Sequence, residues 1–475
     1  MKQYISILLA LWILGSCTTD FDEINTNPNA PIEVQPSLLL RQVLFDYAEE
    51  MSYEGFVAGN LLGQYFTAID FNLFDRHSLT EPQFGGNPWP FIYTNLRDNE
   101  IMLQQALDNP TLEVYAGPAR ILKAYMAAAL TDIYGDAPFS EALRGQEGEV
   151  RPVYDLQEDI YTGIDGILDN LDKAISLLEN YTGTTTIEGD ILFNGDLNSW
   201  IRFANSLKIK ALIRISDRQE VAAELQTLFD AGNYLQTNDQ NAAFDFTDGQ
   251  PNNFRMANLR AGDFNLFIMS ETMEDLLLEL NDPRIEVFFR PAANTPGEYA
   301  GLLNGPDASQ TSISVANFSL TGTIFRERTG DLDANYLTSW ETHFLLAEAA
   351  ERGLINGDAQ TLYETAVTQA FEYWQTALPA DYLTVGPAAY GANPIEQIIT
   401  QKWLANIING YEGWIEYRRT GFPELKTISA SLNNDLIPVR MPYPTDEAAL
   451  NTENYQAATS NNQNSVNARV WWDLN

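Results

Sequence analysis

The chain has one cysteine, two histidines and no apolar run long enough to cross a membrane. Each scarcity excludes something. A single cysteine allows no internal disulfide, so the fold stands on its core alone. With only His77 and His343, and without Cys-x-x-Cys, His-x-His or HExxH, no zinc site is expected. His343 lies in an apolar helical stretch and reads as packed. The glycine-rich phosphate loops and the Gly-x-Ser-x-Gly elbow are also missing. Cations are few: 27 Lys and Arg face 65 Asp and Glu, a formal charge of −38. A surface so acidic is a poor partner for nucleic acid or sulfated polymers. It keeps the chain soluble in a salty medium, where repulsion is screened.

What is present begins at the N-terminus. Ile5 to Leu14 is apolar but for Ser6, too short a run to span a bilayer and the right length for a secretory signal. Leu14-Gly15-Ser16-Cys17 follows, and places the only cysteine after small residues. This resembles a bacterial lipobox, which implies a signal peptide over 1–16 and acylation of Cys17. Residues 17–36 read as an extended tether with Asp20, Asp22, Glu23, Pro28 and Pro31. The acids just after the cysteine also resemble a surface-export signal of Bacteroidota lipoproteins.

The 475-residue chain, 45% hydrophobic, suffices for a large core. Helical periodicity begins at Ser37, read as a cap, and resumes over 53–66, 91–107 and 112–134. Asp155 and Glu158 are spaced as a capping box for a helix reaching 179. Helical pairs are expected over 197–215 and 218–231, 338–352 and 358–376, and 394–408 and 411–418. Between them lie long insertions at 232–265, 291–335 and 378–394, and loops of that length are commonly functional.

Five segments in order carry a resemblance. Residues 130–143 read LTDIYGDAPFSEAL, 199–216 read SWIRFANSLKIKALIRIS, 410–423 read GYEGWIEYRRTGFP, and 440–444 read RMPYP with Glu447 following. Trp471-Trp472-Asp473 closes the chain. Together with the lipobox they resemble the SusD/RagB family of nutrient-binding outer-membrane lipoproteins. The resemblance implies a predominantly all-α fold: degenerate tetratricopeptide-like repeats, here about 112–231 and 338–420, carrying a loop-rich ligand-binding part, here about 66–90, 232–335 and 420–475. It makes 37–475 a single domain. It implies a non-catalytic protein on the outer face of the outer membrane. Such a protein captures oligosaccharides and passes them to a SusC-like TonB-dependent transporter. A neutral glycan such as a β-glucan suits the acidic surface. A peptide ligand, or a helical scaffold that only assembles envelope complexes, are the alternatives.

Ligand contacts are expected on loops rich in aromatic and hydrogen-bonding side chains. Two stretches qualify, Phe71–Trp89, which includes Phe84, and Asn252–Phe264. Phe71, Trp89 and Phe254 are candidate stacking platforms; Asn72, Asp75, Arg76, Asn252 and Arg260 are candidates for reading hydroxyls. The chemistry of cofactors is thin. Asp331-Leu-Asp333-Ala-Asn335 resembles the start of a calcium loop, but Tyr336 replaces the turn glycine and Thr342 the last Glu. No other cofactor is implied. Paired carboxylates able to cleave glycosides have no sequence signature here, and Glu412 and Glu416 beside Arg418-Arg419 read as ion-pair partners at a helix end.

Overall fold

The structure, a computed structural model, describes residues 34–80, 85–307, 309, 312–460 and 464–475. Cys17, the segment before it, the tether up to 33 and Phe84 lie outside the described residues. The longer helices are α1 (Pro36–Glu54), α2 (Trp89–Asp108), α3 (Ala116–Tyr134), α4 (Ile167–Asn180), α5 (Leu197–Ile215), α6 (Ala222–Ala231), α7 (Glu271–Glu279), α8 (Ser339–Glu351), α9 (Ala359–Tyr373), α10 (Pro394–Ala405) and α11 (Glu412–Thr420). Short strands form three two-stranded antiparallel ladders. They are β1 (Phe66–Ala68), β2 (Ala137–Pro138), β3 (Tyr154–Asp155), β4 (Ala242–Asp245), β5 (Phe267–Met269) and β6 (Asp333–Leu337). The fold is therefore predominantly helical, as expected. No helix among the described residues is long and apolar enough to cross a membrane.

Local chemistry sets several boundaries. Asp196, Thr338 and Asp358 cap α5, α8 and α9, each accepting from a backbone N–H three residues on. Proline occupies the first turn of α1, α2 and α10. The expected cap at Ser37 is not used, because α1 begins at Pro36, with Gln35 at the cap position two residues earlier. Asp155 does not cap a helix either. Its carboxylate turns back and accepts from Phe139 N, Ser140 N and Ser140 Oγ. The helix beyond it is split at Gly163–Gly166 into Gln157–Thr162 and α4.

Successive helices pack against one another: α1 on α2, α2 on α3, α3 on α4, α4 on α5, and α8 on α9. α8 also packs on α5 and α10, which joins the two helical halves. Small-and-large packing produces this. Ala347 faces the buried Tyr363, Ala366 and Ala370 within one core cluster. α1 continues as a π-helical turn over Gly55–Gly59, where the backbone lies on the loop at Gly410. A Cβ on Gly59 would sit 2.3 Å from the Gly410 carbonyl oxygen, so only glycine permits this approach.

Candidate ligand-binding face

The site grows from one ladder. β1 pairs with β5 in the register Phe66 to Met269 and Ala68 to Phe267, and Ile69 N donates to Leu266 O at 3.0 Å. The end of β1 and the start of β5 therefore coincide. Both candidate loop stretches meet the ladder at that end.

The loop leaving β1 is held from inside by its polar residues. Asp75 Oδ2 accepts from Ala68 N (3.1 Å) and Gly305 N (2.8 Å), and Oδ1 accepts from Asn304 Nδ2 (2.6 Å). Asn72 Nδ2 donates to Ala68 O (3.0 Å) and Pro306 O (2.6 Å). A third loop joins them. Ser429 N donates to Asn304 O, Ala430 N to Gly305 O, and Leu432 N to Arg76 O at 2.7 Å. Arg76 Nε returns a bond to Ala430 O at 2.9 Å. Buried His77 contacts Leu436 O through Nδ1 at 3.1 Å. Burial lowers its pKa to about 4, so the ring is neutral, and since a carbonyl only accepts, Nδ1 carries the proton. Burial likewise pushes the Asp75 carboxyl up to about 7, against the pull of its three N–H donors.

These bonds fix what the face presents. Phe71 is 54% exposed and adopts a left-handed φ of 48°, with its N–H donated to Asp70 Oδ1 at 2.8 Å. Left-handed backbone is disfavoured for a bulky residue and needs enforcement by its surroundings. Arg76 and Asp307 form a loose ion pair at 3.8 Å, each side chain about one-fifth exposed. Leu432 and Leu436 stand exposed on the third loop. The same cluster of loops thus carries an exposed apolar ring, a charged donor and a charged acceptor, on a backbone braced by these bonds.

The other candidates separate. Trp89 is buried against Tyr93, Tyr134 and Tyr443, with ring centroids 4.9, 4.9 and 5.8 Å away. Phe254 is wholly buried between Phe56 and Phe246. Neither presents a ring face to solvent, so both belong to the core and not to a platform. Asn72 and Asp75 are internal braces, too deep to read hydroxyls directly. Asn252 is exposed, and its carbonyl accepts from Thr247 N. The Arg260 side chain is 87% exposed and pairs with Asp263 at 2.8 Å. Sequence reasoning missed Asn304, Asp307 and the loop over 428–436. Their only signal was their place inside loop-rich segments.

The signature segments build something else. Arg214 of α5 pairs with Asp132 of α3 (3.2 Å) and Glu412 of α11 (2.8 Å), and also meets Glu416. Arg419 joins Glu416 at 2.7 Å and also pairs with Glu348 of α8. Lys210 bridges Glu341 and Glu412 at 2.7 and 3.0 Å. Burial pushes the Glu412 carboxyl up, but Arg214, Lys210 and Lys402 together hold it down at about 2. Acids so fully paired and buried are fixed as carboxylates and serve as struts between helices, not as proton donors.

The acidic stretch at 331–335 is likewise committed elsewhere. Asp331 pairs with Arg328 at 3.1 Å, Asn335 Nδ2 donates to Tyr373 Oη, and Asp333 lies across the β4–β6 ladder from Asp245. Among the described residues no group of three or more His, Cys, Asp or Glu is placed to hold a metal ion.

No curated protein sequence matches the chain. Solved structures do. A chitin-binding protein is 26% identical with a TM-score of 0.79, covering 93% of this chain and all of its own. A SusD homologue from Bacteroides fragilis is 22% identical with a TM-score of 0.80, covering 92% of this chain and all of its own. A chitin-binding SusD homologue from Flavobacterium johnsoniae is 22% identical with a TM-score of 0.76, covering 93% and 98%. A SusD-like family model, described as starch-binding and associating with the outer membrane, matches residues 28–444. The chain belongs to the SusD-like family, whose members are binding proteins and not enzymes.

Proposed function

We propose that this protein captures a neutral oligosaccharide at the loop face around Phe71 and delivers it to a SusC-like TonB-dependent transporter. The observation that carries the reading is Phe71 itself: a ring 54% exposed, held at a left-handed φ by loops locked together at Asp75. An exposed apolar ring on a loop cluster that also carries Arg76 and Asp307 suits a sugar ring, whose C–H face stacks while its hydroxyls both donate and accept. Preorganisation matters because the ordering entropy of the loop is already spent before the ligand arrives. Asn252 and Arg260 belong to the same proposal as outlying polar contacts. A β-linked neutral polymer suits an acidic surface that would repel a polyanion, and two structural relatives are described as chitin-binding. Acylated Cys17 would hold the body at the outer leaflet, facing outward, with the helical repeats toward the transporter.

The test is isothermal titration of the purified mature chain with laminarin and chitin oligosaccharides, a sulfated glycan and a mixed peptide pool. Binding to a neutral glycan alone supports the reading. Binding to peptides alone would replace the ligand, and binding to none would leave only the scaffold alternative.

A further inference from the structure

A second recess lies away from Phe71, where the signature segments come to the surface. It is lined by residues of β3, the start of the helix Gln157–Thr162, the helix Thr452–Ala458 and the tail Arg469–Trp471. Its volume is about 580 Å³, within the range of about 300–1,000 Å³ typical of small-molecule sites.

The tail shows how an aromatic reaches this recess. Adjacent tryptophans differ in burial, although Trp471 also lies 6.4 Å from the Tyr161 ring. Trp472 is buried and its indole N–H donates to Asp132 Oδ1 at 2.7 Å. Trp471 is only half-buried and lines the recess. Its carbonyl is pinned by Arg218 Nε at 2.6 Å, so the backbone beneath the ring is fixed. Polar groups of both kinds surround it. Arg469 is half exposed and tied to the buried Asp473 at 2.7 Å, which cancels its charge while leaving donors outward. Glu158 accepts from Gln219 Nε2 through one oxygen, Oε1. Asn454 spends its amide N–H groups on Arg151 O, Pro152 O and Asn451 Oδ1, which leaves its Oδ1 as the acceptor for a ligand.

We propose that this recess is a second saccharide-binding site, with Trp471 as stacking platform and Arg469, Glu158 and Asn454 reading hydroxyls. Arg469 is paired with Asp473, and Arg440, the other guanidinium of the lining, is buried over the Tyr443 ring (4.6 Å) and near Asp136, so neither favours an anion; a mixed donor and acceptor lining that includes an indole matches a neutral sugar. The location of the site stands on its own geometry; the identity of the ligand as a glycan rests on the function proposed above. Two sites on one rigid body would raise avidity for a long chain over a short one, because the second contact is intramolecular.

The experiment titrates chitohexaose and laminarihexaose into the mature protein and into Trp471→Ala, Ala457→Trp and Phe71→Ala. Ala457 is exposed on the helical wall of the recess, so its tryptophan variant fills the space from outside the core and covers the case in which Trp471→Ala fails to fold. The expected result is two binding events in the parent and one in Trp471→Ala and in Ala457→Trp, with the Phe71→Ala variant keeping the event at the recess. One event in the parent, unchanged in both recess variants and lost in Phe71→Ala, overturns the second site and leaves the loop face standing. One event lost in the recess variants and unchanged in Phe71→Ala supports the recess and overturns the loop face. No event with either oligosaccharide overturns both.

Discussion

Asp75 and Asn304, 229 residues apart in sequence, share a 2.6 Å hydrogen bond that locks the Phe71 loop to the loop over 302–307. The pair is buried, and among the described residues the carboxylate's other partners are the backbone N–H groups of Ala68 and Gly305, with no cation within hydrogen-bond reach. The shape of the proposed binding face depends on a carboxylate that burial pushes toward protonation.

The pH dependence follows from that. The folded-state pKa of Asp75 is raised from 3.8 to about 7. Such a group contributes stability that is full below about pH 4 and lost as pH rises through about 7. Asp75→Asn removes this slope but sets an amide NH₂ against backbone donors. In urea unfolding at fixed salt, the variant is expected to be less stable than the parent at pH 5.5 and to show a smaller difference between pH 5.5 and pH 8.

Asp333 carries the same sign of shift with an opposite outcome on substitution. Burial and the facing Asp245 raise its pKa to about 6. Like charges opposed across a ladder cost about 0.2–1 kcal/mol. Asp333→Asn is expected to hold or raise stability by about that amount at pH 8, and to bring no gain at pH 4.5, where the parent is already protonated. Thermal melts at the two pH values check this.

The buried ion network gives the largest predicted loss. Glu416 touches Arg214, Arg419 and Lys402, and all four side chains are 3% exposed or less. Removing one member of a buried network leaves charges uncompensated and costs about 3–5 kcal/mol. Glu416→Gln is expected to lose stability on that scale in chemical denaturation.

Gly59→Ala tests the close backbone contact. Its Cβ would meet Gly410 O at 2.3 Å, whereas a Cβ at Gly249 meets nothing within 4 Å. Overpacking a core contact costs about 1–3 kcal/mol. Gly59→Ala is expected to lower the melting temperature by several degrees while Gly249→Ala leaves it unchanged.

Much of this molecule was legible before its structure. The caps at Asp196, Thr338 and Asp358 are local chemistry, so α5, α8 and α9 begin within a residue or two of where the sequence puts them. Glu412 and Glu416 were readable as ion-pair partners because they sit one turn apart beside two arginines. The face was harder. Trp89 and Phe254 look like Phe71 in sequence, but whether a ring is buried depends on partners far away, such as Phe56 against Phe254. Asp75 looked like a ligand contact because a buried carboxylate and a hydroxyl-reading one have the same spelling. The third loop, over 428–436, fell inside the expected ligand-binding part, but its link to Arg76 was not legible, since it ends on main-chain groups that no side-chain pattern encodes.

The central claim is that the Phe71 ring is the platform for a neutral glycan. Fully burying a phenylalanine is worth about 1.5–3 kcal/mol, roughly a 10- to 100-fold change in affinity. The measurement is calorimetric titration of the parent and of Phe71→Ala with the same neutral oligosaccharide, on samples with matched melting temperatures. The account predicts that the parent binds and that the loop-face event weakens by at least about tenfold in the variant; equal affinity and stoichiometry in the two proteins would contradict it.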